Sequence, residues 1–348
     1  MSRSALLFAV LVVVAAIPAN AAARPVHLRG TAYEFNNVHV LLAGATIRVA
    51  EQPKLKATVR RDGTYDLAVP DRSRITPYIR AAGHHTIYLQ TFTTAGENLA
   101  NVNFQTPSDD VYRALVVLLG VPVDAAGNPR RCAIVSTFST RNVRDLDFAG
   151  FIAYGAHGVA GATATAKPRL PRPTYFNSQV IPDPVQQLSS EDGGVLWTDV
   201  AAGVYTVRAH SPVTSFASFV ATCRPRRIVN ANPPWGLHEL GLRNSARVTA
   251  SWTVRARRFT LRSLRASALP AGATVTARCS GRGCPFRSTT KLANVVGSRM
   301  RAGQTIVVAV TAHAHDGALW RWRLAAGHRP QAVKLCIPLG DTTPRRHC

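Results

Sequence analysis

The residues of this chain best equipped to bind something are basic: the alternating run Trp320-Arg321-Trp322-Arg323, the doublets Arg257-Arg258 and Arg345-Arg346, and the single arginines Arg262, Arg265, Arg282, Arg287, Arg299 and Arg301. Guanidinium groups gathered on one surface attract polyanions by steering and counterion release. The charge is local. From Gly241 to Cys348 there are nineteen Lys and Arg against two acids, which is about +17 of a total net charge of +24. Arg257, Arg258, Arg282, Arg321 and Arg323 are therefore the candidate contacts to an anionic polymer. An Arg- and Ala-rich composition of the kind a GC-rich genome produces gives the same excess without a partner, so charge governs association and not identity.

Other chemistries lack parts. In His313-Ala314-His315-Asp316 two histidines share a strand face, yet no third ligand accompanies them. Tyr78, His84, His85 and Tyr88 have the residue types with which intradiol dioxygenases hold iron, but the segment Thr76-Pro77-Tyr78-Ile79-Arg80 lacks that family's His-x-His. There is no Gly-x-Ser-x-Gly elbow, no His-Glu-x-x-His and no Walker loop. Glu191-Asp192 and Asp109-Asp110 fall at a predicted turn and a predicted helix start, where local hydrogen bonding accounts for them. The sequence thus assigns no catalytic residue, no cofactor and no metal; a metalloenzyme of dioxygenase type is the remote enzymatic alternative.

Six cysteines in a chain that opens like an exported one suggest bridges. Met1-Ser2-Arg3-Ser4 is a short basic start, Ala5 to Pro18 is apolar, and small residues end at Ala23, which predicts a signal peptide over 1–23 and no membrane span after it. Proximity pairs Cys132 with Cys223, Cys279 with Cys284 around a Gly-Arg-Gly turn, and Cys336 with Cys348. Six cysteines allow fifteen connectivities, so the pairing is one hypothesis among these, and zinc remains the other use of thiols.

The elements that would position these groups are short, alternating strands. Val38–Leu42, Ala45–Val49, Ala57–Val59, Tyr65–Val69, Tyr78–Arg80, Thr86–Phe92 and Val102–Phe104 have the spacing of a sandwich. Ser108 to Leu119 is the one predicted helix, stopped by Gly120. Gly44-Ala45-Thr46 followed by Asp62-Gly63-Thr64-Tyr65 recurs as Gly161-Ala162-Thr163 followed by Glu191-Asp192-Gly193-Gly194 and Gly203-Val204-Tyr205-Thr206-Val207. The chain therefore carries one small design twice, over 24–106 and, after a helix and linker at 107–130, over 131–240. A basic cysteine-containing β-unit follows at 241–348. The second copy holds an insertion whose Lys167-Pro168-Arg169-Leu170-Pro171-Arg172-Pro173 predicts a surface loop, making the neighbouring Tyr175 and Asn177 candidate ligand contacts, with packing under the loop as the alternative. In the third unit a three-residue loop His315-Asp316-Gly317 pairs Val310 with Trp322 and Ala312 with Trp320, burying both tryptophans and turning Arg321 and Arg323 outward.

Gly-Ala-Thr-x-x-Val, Asp-Gly-Thr-Tyr-x-Leu-x-Val-Pro, and Ile79-Arg80-Ala81-Ala82-Gly83-His84 resemble the carboxypeptidase regulatory-like family, and Trp197 to Ala209 is similar to that family's final turn and strand. The resemblance covers about half of the chain. It implies tandem prealbumin-like β-sandwiches and an accessory role without catalytic residues. The stretch Cys279 to Phe286 is similar to cysteine-clipped β-domains that end secreted actinobacterial proteins. The expectation is an all-β, secreted, non-catalytic protein bound to the cell envelope, contacting an anionic wall polymer or polysaccharide through its third unit. A protein-interaction module of an extracellular assembly is the alternative, and no nucleic-acid partner is expected in that compartment.

Overall fold

The computed structural model describes residues 24–339 and 342–346; the predicted signal peptide and Cys348 lie outside the described residues. In the first unit, β1 (Val26–Glu34), β2 (Thr46–Val49), β3 (Thr64–Val69), β4 (Pro77–Arg80), β5 (Ile87–Tyr88) and β6 (Phe104–Thr106) form two facing sheets. β1 pairs antiparallel with β3, placing Leu28 opposite Leu67, and parallel with β6, placing Ala32 opposite Phe104. β2 pairs antiparallel with β4, which pairs with β5. Leu28, Ile47, Ile79, Tyr65 and Phe104 meet between the sheets, each at most 1% exposed. Burial of each such side chain contributes roughly 1.5–3 kcal/mol. Gly30 on β1 is required by a close approach: a Cβ there would lie 2.2 Å from the Val102 carbonyl oxygen.

The second unit repeats these pairings. β7 (Cys132–Ser139) pairs antiparallel with β9 (Gly194–Val200) and parallel with β12 (Ile228–Ala231), while β8 (Thr163–Lys167) pairs antiparallel with β10 (Gly203–His210), and β10 with β11 (Phe219–Cys223). The turns match as well: Gly63 and Gly193 both sit at φ 76°, the left-handed region an Asp-Gly turn needs. The Cys132–Cys223 disulfide joins β7 in one sheet to β11 in the other. A loop of that size gives about 4–5 kcal/mol by the chain-entropy account. The Cys279–Cys284 bridge is also formed.

The predicted helix is present as α1 (Asp109–Leu118), whose first turn is capped by Ser108 Oγ accepting from the Val111 N–H. A second helix, α2 (Phe148–Tyr154), which the sequence reasoning did not foresee, starts where Asp147 Oδ1 accepts from the Gly150 N–H. The first two units are not beads on a linker. β12 pairs with β5 across the boundary, so strands of both belong to one eleven-stranded sheet. Beside this pairing runs a file of hydroxyls: Glu51 accepts from Thr76, Thr76 lies 2.9 Å from Thr91, and Thr91 lies 2.6 Å from Thr222.

The third unit packs a three-stranded sheet of β14 (Arg247–Arg255), β15 (Arg258–Ser267) and β17 (Arg299–Arg301) on a sheet containing β16 (Thr274–Ser280), β18 (Thr305–Thr311), β19 (Gly317–Arg323) and β20 (Ala332–Ile337). Trp320 and Trp322 are buried between them, as the alternation requires. Their partners differ from the expected ones: Trp320 lies opposite Val308, Trp322 opposite Ile306, and Val310 opposite Ala318. The connection is longer than three residues because Asp316 is drawn against the second unit. Its N–H donates to Leu242 O at 2.9 Å, and its carboxylate accepts from Ser215 Oγ at 3.0 Å. The displacement is an even number of residues, so every side chain keeps its face.

Candidate anion-binding surface

Along β14, β15 and β17 the buried face is supplied by Val248, Trp252, Phe259, Leu261, Leu264 and Met300. Period-two alternation turns the intervening residues to water, and most of these are arginines. Arg247, Arg255, Arg258, Arg262, Arg265, Arg299 and Arg301 are all exposed. Arg255 faces Arg258, which faces Arg301, so three guanidinium side chains stand in one cross-strand row. Like charges directly opposite are destabilising in a sheet, and none of the seven is in an ion pair among the described residues. Asp316, the acid that the described part of this unit contains, is 2% exposed and engaged elsewhere. Arg262 Nε donates to Thr253 Oγ1 at 2.8 Å, which fixes its stem on the sheet. What this surface offers is a broad field of positive charge able to engage acceptor oxygens in bidentate fashion.

The structure sorts the predicted arginines into different places. Arg258 lies in the row just described, and Arg257 stands at the β14–β15 turn beside it, its carbonyl accepting from the Ala302 N–H at 3.0 Å. Arg321 and Arg323 belong to the other sheet, opposite Val307 and Thr305, so they face away from that row on the far side of the sandwich. Arg282 is exposed in the disulfide-closed turn, where its carbonyl accepts from Gln304 Nε2 at 2.9 Å. Arg262, Arg265, Arg299 and Arg301 of the expected basic surface join Arg258 on this face, whereas Arg247 and Arg255 were not singled out in the sequence. The pairing of β15 with β17 brings Arg299 and Arg301, far away in sequence, to this face.

Tyr175 is not a ligand contact. It is 1% exposed, and its hydroxyl accepts from the Ala164 N–H at 3.1 Å, because the strand after the proline loop turns it into the core. Asn177 is partly exposed, with its Oδ1 accepting from the Gln179 and Ile181 N–H groups, which shapes the turn it starts. The residues of the supposed iron set are engaged separately: Tyr78 stacks on Tyr88, His84 Nε2 lies 3.0 Å from Glu34, and His85 stacks on Tyr112, with burial lowering its pKa. Among the described residues no group of three His, Cys, Asp or Glu could hold a metal ion. No described helix is long and apolar enough to cross a membrane.

A cleft of about 430 Å³ opens between the first and second units, walled by Tyr33, Phe35, Phe151 and Phe176. Glu191, Asp192 and His157 line it, and no Lys or Arg does. Burial raises the Asp192 carboxyl above its usual range.

No family model matches the chain, and no curated protein matches it. Among solved structures it is similar to the Bacillus anthracis TIE protein, at 12% identity and TM-score 0.19 over 92% of this chain and 51% of that one. It is also similar to a streptococcal ancillary pilin, at 9% identity and TM-score 0.22 over 90% and 95% of the two chains. A DUF3823 family protein from Bacteroides uniformis follows, at 10% identity and TM-score 0.19 over 60% and 100%. The chain spans about half the length of the first of these. Scores this low leave the architecture to the chain's own strands, which are those of an all-β protein with two sandwiches of one topology and a third, disulfide-clipped sandwich.

Proposed function

We propose that this chain is an exported, non-catalytic binding protein of the cell envelope that holds an anionic wall polymer or polysaccharide along the arginine face of its third unit. The observation that carries this is the row Arg255–Arg258–Arg301, flanked by four more exposed arginines and opposed by no acid among the described residues. Mutual repulsion in that row is relieved when an extended polyanion lies along it. The disulfides fit an oxidising compartment. The test is co-sedimentation of the mature protein with insoluble wall material at low and high salt, beside a variant carrying Arg255→Ser, Arg258→Ser and Arg301→Ser. The parent pellets at low salt and is released at high salt, and the variant pellets several-fold less. A variant that pellets like its parent overturns the proposal.

A second reading, a protein-contact module of an extracellular assembly, is favoured by α1, which leaves Val117 81% and Leu118 57% exposed. Apolar contact of that kind would persist at high salt, where the polymer contact fails.

A further inference from the structure

The Asp-Gly turn that recurs in the first two sandwiches differs between them. In the first unit Asp62 is exposed, and its Oδ1 accepts from the Thr64 N–H at 3.0 Å and from the Thr64 hydroxyl at 2.7 Å. Those bonds, the hydroxyl's foremost, hold its carboxyl below the usual range. In the second unit Gly194 stands where Thr64 does and brings no hydroxyl. Asp192 Oδ2 accepts from the Gly194 N–H at 2.9 Å, and the residue lines the cleft between the first and second units. Burial pushes its carboxyl up, opposed by that backbone bond and by His157.

The missing side chain leaves room for a ring. A Cβ on Gly194 would lie 2.5 Å from Asp192 Oδ2 and 2.6 Å from Phe176 Cγ. Glycine therefore sets a desolvated carboxylate and an aromatic ring side by side on the cleft wall. The inserted helix α2 adds Phe151 and Ile152, and His157 packs on the Phe151 ring with centroids 4.8 Å apart. From the first unit comes Tyr33, which is 1% exposed and whose hydroxyl makes no hydrogen bond among the described residues. The exposed Glu191 also lines the cleft and is in no ion pair among the described residues.

A space of about 430 Å³ is of the size that holds a small ligand. We propose that this cleft binds a small organic cation, a primary ammonium on a short apolar stem. Such a group carries three N–H donors, for which the two carboxylates and the Tyr33 hydroxyl are acceptors. Aromatic rings attract a cation and shelter its stem. A desolvated carboxylate gains most from a ligand that brings a positive charge of its own. A free amine and the end of a lysine side chain of another protein present the same chemistry.

The test is a ligand-observed NMR titration of the mature protein with n-butylammonium chloride, with n-butanol as its uncharged counterpart, and in a parallel arm with a capped Gly-Lys-Gly peptide. The expected result is saturable binding of at least one ammonium probe, about tenfold or more tighter than butanol. Asp192→Asn, which keeps the shape and an acceptor for the Gly194 N–H, weakens it by about tenfold or more. Glu191→Gln, at an exposed position where the fold is not at stake, weakens it in the same direction. Asp62→Asn removes the same charge from the equivalent turn and changes binding less than twofold. The tighter ammonium probe identifies the source. Absence of saturable binding of both ammonium probes, butanol binding as tightly as butylammonium, or equal weakening by Asp62→Asn and Asp192→Asn overturns the proposal. None of these outcomes bears on wall co-sedimentation, which depends on arginines of the third unit.

Discussion

Between the first and second units, β12 pairs with β5, a file of buried threonine hydroxyls crosses the boundary, and the adjoining cleft is aromatic with two carboxylates. Between the second and third, the contact is a handful of hydrogen bonds around Leu242, Ser215 and Asp316, and the adjoining cleft is cationic. A chain of net charge +24 has therefore kept Lys and Arg out of the lining of one cleft and gathered five into the lining of the other, while at the first junction Arg227 lies over the Tyr88 ring. Backbone pairing needs no charge and tolerates little of it when buried, so the fused junction is made of apolar strands. The first two units form one body, and the third is joined to it as a separate electrostatic surface.

Three changes test that contrast. The largest effect is expected from acid. His238 on β13 (Leu237–Leu242), the strand that leads from the second unit to the third, is 9% exposed. Burial, with Arg144 nearby, pushes its pKa down to about 4. A folded-state pKa below the unfolded value means the unfolded chain takes up the proton first, so stability is full above about pH 6.5 and falls as pH drops toward 4. The loss approaches about 3 kcal/mol, from the roughly 1.4 kcal/mol carried by each pK unit. His238→Asn should flatten the melting temperature of the first two units over this range; an unchanged slope would place the acid sensitivity elsewhere.

A smaller effect is expected at the fused junction. Val229 on β12 is fully buried and pairs with both Ile134 and Tyr88. Val229→Ala should cost about 2 kcal/mol through lost transfer energy and the space left behind. Calorimetry should show the first and second units melting earlier together while the third is unmoved; separate shifts of the first two would break the claim that they are one body. The smallest is expected at the loose junction. Ser215→Ala removes one of the two donors to the Asp316 carboxylate and should cost about 1 kcal/mol. It should raise the amide exchange rate of Leu242 and Asp316 while leaving β12 untouched; faster exchange in β12 would show the junctions coupled.

Much of the sandwich design was legible because turns announce themselves. Asp62-Gly63 and Asp192-Gly193 need left-handed glycine, and the strand after the first alternates cleanly. β1 was harder, although it is central to its sheet: Gly30 interrupts its alternation, and the cause is the Val102 carbonyl, a neighbour contributed from far along the chain. The tryptophan face in β19 followed from period two, while its register did not, because Asp316 answers to Ser215 in another unit. The arginine face was half legible for the same reason. Composition pointed to the third unit, but only strand pairing shows that Arg301 stands beside Arg258 and that Arg321 faces the other way. Tyr175 misled because an aromatic next to a proline-rich loop has the same local sequence whether it points out or in.

The parallel pairing of first and last strands, β1 with β6 and β7 with β12, has a mechanical side. In each sandwich the chain enters at one end of that pair and leaves at the other, so tension along the polypeptide pulls the two strands in opposite directions along their length. Their hydrogen bonds are then loaded together in shear, rather than one after another as when a hairpin is unzipped. A protein anchored at one end and tugged at the other would meet that force with its strongest geometry.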